Sequence, residues 1–137
     1  RLICVFGPSF YHASELRARM GRVVERSADM GILTSNDPGN ESPLAISHDV
    51  LDGYDRPGHA HFIPDRLEAI CWALDQARHG DAVLIAGTGF QDNLDHRPHG
   101  ENFDDRQVVR EWLHQRGRQA VLPQLHPGIF TNPHGSN

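Results

Sequence analysis

Two short stretches hold the residues best placed to do chemistry. One is Gly87-Thr88-Gly89-Phe90-Gln91, directly behind the apolar run Ala82-Val83-Leu84-Ile85-Ala86. Small residues there leave the backbone free to turn and to approach a ligand. The other is Asn36-Asp37-Pro38-Gly39-Asn40-Glu41, behind Gly31-Ile32-Leu33-Thr34-Ser35. Asn36 and Asp37 could simply form a turn on their own backbone. In open α/β sheets, however, ligands collect at the carboxyl ends of strands. The two loops therefore read as one edge of a small-molecule site. Arg17 is a cation on a helix that could face the same ligand or solvent. His96 and His99 lie among Asp92, Asp95 and Glu101. Imidazole and carboxylate are sound zinc ligands, but this spacing matches no closed zinc motif and Pro98 stiffens the segment, so no metal site is expected.

The elements that must carry these loops follow from periodicity. Leu2-Ile3-Cys4-Val5-Phe6 is a continuous apolar run closed by Gly7-Pro8, and it reads as a buried strand. Ser14 suits an N-cap, and Leu16, Met20, Val23, Val24 and Ser27 recur at helical spacing and make one apolar face, so residues 15–28 are expected as a helix. Residues 31–35 are a second strand. Ser42-Pro43 starts a second helix, with proline where its missing N–H costs nothing. Ala60 to Ile63 is a short third strand. Asp65-Arg66-Leu67-Glu68 resembles a capping box and opens a helix that runs to Arg78. Residues 82–86 are the fourth strand, 88–103 a long polar loop, and Asp104 caps a last helix ending at Gly117. Ala120-Val121-Leu122 reads as a short edge strand, demoted by Pro123. Alternation of strand and helix predicts a three-layer α/β sandwich, with a mainly parallel, Rossmann-like sheet and helices on both faces. The domain spans 1–117, and 118–137 is an irregular tail.

Composition narrows the function. Net charge is −5 with no basic stripe, which argues against nucleic acid as a partner. Nothing approaches the roughly 18 apolar residues of a membrane span. Cys4 and Cys71 lie in apolar stretches without metal or redox spacing, and read as buried free thiols in a reducing compartment. All thirteen cationic residues are arginine. The chain thus lacks a P-loop lysine. Beginning at Arg1, it reads as an excerpt of a longer protein.

Several motifs, in order, resemble the C-terminal domain of the Mur ligases, most closely the UDP-N-acetylmuramoyl-tripeptide synthetase branch. Arg1-Leu2-Ile3-Cys4-Val5-Phe6-Gly7 is similar to that domain's opening strand. Asn36-Asp37-Pro38-Gly39 stands where the family has Asp-Asn-Pro-Arg, and Asp49-Val50-Leu51-Asp52-Gly53 resembles its D-I-x-x-G. Asp65-Arg66-Leu67-Glu68-Ala69-Ile70 is similar to D-R-x-E-A-I. Gly80-Asp81-Ala82-Val83-Leu84-Ile85-Ala86-Gly87-Thr88-Gly89 resembles G-D-x-V-L-I-A-G-K-G, and Phe103-Asp104-Asp105 the F-x-D before the last helix.

The resemblance implies the amino-acid-binding domain of a cytoplasmic, ATP-dependent amide ligase of peptidoglycan precursor synthesis. Such a parent phosphorylates a carboxylate of a UDP-muramyl precursor and lets the amine of an amino acid attack. ATP and Mg2+ would be gripped mainly by preceding domains, including a central ATPase domain. Arg17, Asn36, Asp37, Gly39, Gly87, Gly89 and Gln91 would line the substrate pocket, with no catalytic residue here. Some positions depart from the family. Gly39 replaces an arginine, the first two letters of the Asn36-Asp37 motif are swapped, Phe90 stands for histidine and neutral Gln91 for a glutamate. The family's G-D-R-D loop is replaced by Phe10-Tyr11-His12-Ala13. These departures disfavour diaminopimelate and leave open another amino acid, another amine, or lost catalysis. Alternative readings are a degenerate ligase-like binding module and a Mur-type ligase acting on another polymer.

Overall fold

The computed structural model describes residues 1–87 and 103–121, with side chains through Gly117. The expected polar loop over 88–103, with His96 and His99, lies almost wholly outside them, as does the tail beyond Val121. Strand β1 is Leu2–Phe6, helix α1 Ser14–Ser27, β2 Met30–Leu33, α2 Pro43–Leu51, β3 His61–Phe62, α3 Arg66–Gln76, β4 Ala82–Ile85 and α4 Asp105–Val121. The sheet order is β3-β2-β1-β4, and every pairing is parallel. This is the expected α/β architecture.

The apolar run of β1 takes an interior position because it is buried on both faces. On one face Ile3, Val5 and Ile32 meet Ala69, Ile70 and Ala73 of α3 and Val108 of α4. On the other, Cys4, Phe6 and Leu33 meet Val50 of α2 and Tyr54 behind it. Burial pushes the Tyr54 phenol up to about 12, so it stays neutral. Both cysteines are free thiols; Cys4 is buried and Cys71 only partly so.

Helix α1 leaves part of its apolar face exposed. The residues it buries are Arg17 and Gly21, whereas Leu16 and Val23 are exposed. Small residues decide this. A Cβ on Gly21 would lie 2.3 Å from the Val50 carbonyl oxygen, and one on Gly53 would lie 1.7 Å from that of Ala18. Only glycine lets α1 and α2 approach so closely, and that contact turns the apolar stripe sideways. Leu16, Met20 and Val23 instead border an open groove of about 560 Å³ with Leu84 and Ala86.

Three expected helix ends also differ in detail. Ser14 is the first helical residue and not the cap; its hydroxyl donates to Asp49 at 3.0 Å. Ser42 precedes Pro43 as expected, but its side chain makes no capping bond. Helix α4 runs through Gly117, Ala120 and Val121, so the expected edge strand there is not formed. One interior glycine costs a helix only about 1 kcal/mol, and nothing packs against Gly117 to break the turn. The cap at Asp65 forms as expected, accepting from the Glu68 N–H at 2.8 Å.

Candidate functional site

The loops that leave the carboxyl ends of β1 and β2 meet, and Gly87, just behind β4, lies beside them. The two loops are in direct contact. A Cβ on Gly7 would fall 2.3 Å from the Thr34 carbonyl oxygen, and the Thr34 N–H donates to Phe6 O at 2.9 Å. Ser9, Thr34, Asn36 and Asp37 are all buried. Buried polar side chains need partners, and the loops supply several. Asn36 Nδ2 donates to Ser9 Oγ at 3.2 Å. The Phe10 N–H donates to Asp37 O at 2.8 Å. Asp37 Oδ1 accepts from the Gly39 N–H at 3.2 Å, which is the Asx turn its sequence allowed.

Gly39 has φ +54°, and a Cβ there would lie 2.7 Å from the Phe10 ring. The aromatic side chain thus occupies the space into which a residue at 39 would grow. Phe10 and Tyr11 stack edge to face at 5.6 Å, and Tyr11 lies 4.5 Å from the His12 ring. His12 Nδ1 accepts from the Ser9 N–H at 2.9 Å. An aromatic rim therefore borders the loops.

Arg17 stands behind them, not in the open. Its side chain is 3% exposed. Nη1 donates to Glu41 Oε2 and Asp49 Oδ2, each at 2.8 Å. Nη2 donates to Glu41 Oε1 at 2.8 Å and to Phe10 O at 2.9 Å. Nη2 also reaches Ser9 O at 3.5 Å, so both Nη groups are taken up by acceptors of the protein and the guanidinium clamps both loops to α1 and α2. Where the sequence reading had Arg17 facing a ligand, the guanidinium faces acceptors of the protein.

The hydrogen bond from Arg17 holds the Glu41 carboxyl below its ordinary range. A carboxylate depressed by folding stabilises the native state above its ordinary pKa, and the contribution is lost as pH falls through the lower folded value. Glu41→Gln should therefore give a shallower loss of melting temperature than the unaltered domain as pH falls from about 5 to 3, across the ordinary glutamate pKa near 4.3. Thermal melts of both proteins over that range check this; equal slopes would remove the linkage.

A second buried arginine escaped the sequence reading. Arg66, the first residue of α3, is 5% exposed. Its Nε and Nη2 fork onto Asp105 at 2.8 and 2.7 Å, and Nη2 also donates to Ala86 O at 3.2 Å. Gly87 has φ +138° and is exposed. A Cβ there would lie 3.1 Å from Arg66 Nη2, 3.5 Å from Nη1 and 3.5 Å from Asn36 Nδ2. The structure thus brings Asn36 and Gly87 to one place. Gly89 and Gln91 lie outside the described residues.

Residues 1–89 match the family model described as Mur ligase, glutamate ligase domain. The chain belongs to the Mur ligase family. It is 42% identical over 119 residues to a UDP-N-acetylmuramoyl-L-alanyl-D-glutamate–2,6-diaminopimelate ligase of Chromobacterium violaceum, covering 87% of this chain and 24% of that protein. The ligase of the same description from Aquifex aeolicus is 39% identical over 113 residues, covering 82% and 23%. A solved structure of such a ligase superimposes with a TM-score of 0.75 at 35% identity, covering 85% of this chain and 24% of that one. This Mur ligase domain thus spans about a quarter of the length of its relatives.

Proposed function

We propose that this Mur ligase domain holds the incoming amino acid for an ATP-dependent amide ligase that builds peptidoglycan precursors in the cytoplasm. The observation that carries the reading is the meeting of the Asn36-Asp37 loop and Gly87 at the carboxyl ends of β2 and β4, in a chain whose relatives are named for joining diaminopimelate to a UDP-muramyl dipeptide. In the proposed reaction ATP phosphorylates a carboxyl group of the precursor and releases ADP. The amine of the amino acid then attacks that carbonyl, an amide forms, and phosphate leaves. With no lysine in the chain, the phosphates of ATP and the accompanying Mg2+ fall mainly to the rest of the parent enzyme, including a central ATPase domain. The contribution of Asn36, Asp37, Gly39, Gly87, Gly89 and Gln91 is orientation of the amine and exclusion of water. Both can be worth several kcal/mol. Arg17 supports them from behind.

Phosphate release by the full-length parent, given ATP, UDP-muramyl dipeptide and a panel of amino acids, tests this. Release dependent on an amino acid establishes the ligase. If diaminopimelate is that amino acid, Gly39 and Gln91 have not altered the acceptor; if it is another, the Phe10–Gly39 packing is part of the changed pocket. A folded parent that binds ATP and releases no phosphate with any amino acid would overturn the reading in favour of a binding module or another acyl substrate.

A further inference from the structure

We propose that the open groove beside α1 seats an amphipathic helix of about a dozen residues, supplied by the parent chain directly ahead of Arg1. This rests on the reading of the chain as one domain of a longer ligase, and adds an interface within that ligase.

One face of β4 is covered and the other is bare. Val83 and Ile85 pack against the α3–α4 core. Leu84, on the α1 side, is 50% exposed, and Leu16 and Val23 across the groove are 44% and 62% exposed. Strands of a parallel sheet are ordinarily covered on both faces, and an apolar patch of this kind marks an interaction site. Cys4 and Phe6 of β1 form the floor, and Cys4 stands opposite Leu84 in the β1–β4 register. The groove follows α1 from Leu16 to Ser27, which is about 17 Å at helical rise. An apolar trough of that length, between a helix and a strand, suits a helix that presents every third or fourth residue to it.

The topology selects the occupant. Leu2, at the amino end of β1, lines the groove together with Ser27 and Ala28 at the end of α1. The Leu2 N–H donates to Asp29 Oδ2 at 2.6 Å, and the Asp29 N–H donates to Leu2 O at 2.9 Å. A helix running alongside α1 would therefore end where β1 begins. Handedness agrees. A crossover that enters β1 from the β4 side moves across the sheet in the same direction as β1-α1-β2. Right-handed connection then puts its helix on the α1 face, which is the face of the groove. By contrast α4, from which residues 122–137 follow, packs on the opposite face through Val108. The relatives have chain to spare, since this one covers 24% of the Chromobacterium violaceum ligase. Among the described residues that line the groove, Arg19 alone is charged. The helix should carry an acid on the edge that meets it, a contact that sets register more than affinity.

The test uses the full-length parent with added cysteines, read peptide by peptide. Val23→Cys and Leu84→Cys should react with a maleimide at least about 10-fold more slowly in the native parent than in urea, because labelling must wait for the helix to lift. A benzophenone maleimide on Arg19→Cys, at the rim, should cross-link on illumination to the peptide directly ahead of Arg1. These positions are exposed, so the substitutions leave the fold intact. Labelling as fast as in urea would leave the groove open and overturn the inference. So would a cross-link to residues 122–137, to a second copy of the chain, or to a remote part of the parent. Phosphate release is read separately. An active parent with an open groove loses this interface and keeps the proposed function; an inactive parent whose groove is protected and cross-linked ahead of Arg1 does the reverse.

Discussion

Gly53→Ala should destabilise the domain by about 3 kcal/mol, at the upper end of the ordinary cost of overpacking. The new methyl would sit 1.7 Å from the Ala18 carbonyl oxygen and 2.5 Å from its carbon. Both are backbone atoms inside α1, so no side-chain rotation relieves the clash. Relief requires α1 to move off α2, which would also disturb the Arg17 clamp. Gly58→Ala is the control, because nothing lies within 4 Å of its Cβ position; surface changes of that kind stay within about 0.5 kcal/mol. Urea titration should show a lower midpoint for Gly53→Ala with an unchanged slope. A midpoint equal to that of Gly58→Ala would contradict the close helix contact.

Removing Asp105 should cost more. Asp105→Ala leaves the Arg66 guanidinium buried with its Nε and most of its Nη2 bonding lost. Breaking a buried ion pair from one side typically costs about 3–5 kcal/mol, because the remaining charge has no partner. For a domain of this size that lowers the melting temperature by roughly 10 °C or more. Replacing both partners, as in Arg66→Met with Asp105→Leu, should recover most of the loss, since two apolar side chains carry no stranded charge. Thermal melts followed by circular dichroism compare the three proteins. A double variant no more stable than Asp105→Ala would mean that shape, and not charge, sets the cost.

Much of this architecture was legible in the chain. The unbroken apolar run of Leu2–Phe6 could only be a strand covered on both faces, and it is an interior strand with two parallel neighbours. The carboxylate at Asp65 announced the start of α3 through its own local hydrogen bond. Both are short-range features. The two arginines were not legible, because arginine on a helix is ordinarily solvated. What buries Arg17 is Glu41 and Asp49, and what buries Arg66 is Asp105; the partners lie 24, 32 and 39 residues away. The stripe of α1 misled for a related reason. Periodicity reports an apolar face, but Gly21 and Gly53 determine which face meets α2. At the site, the turn at Asn36-Asp37 followed from residue type, whereas the burial of those side chains and the approach of Gly87 to Arg66 depend on loops brought together by the sheet.

The place of β1 between the two core layers also bears on the order of assembly. The buried core on one side of the sheet draws on residues from Cys4 to Tyr54, with Ala60, Phe62 and Ala86 packed against it. The other draws on residues from Ile3 to Val108. Roughly doubling the enclosed chain adds about 0.6 kcal/mol of loop-closure entropy. Contacts of longer span also form more slowly. A chain emerging from its amino end can close the α1–α2 side while half of it is still to come. The α3–α4 side waits for the last helix, and with it waits the ion pair that fixes Arg66. The Arg66–Asp105 fork is thus set last, after the buried residues of the α1–α2 side can already meet.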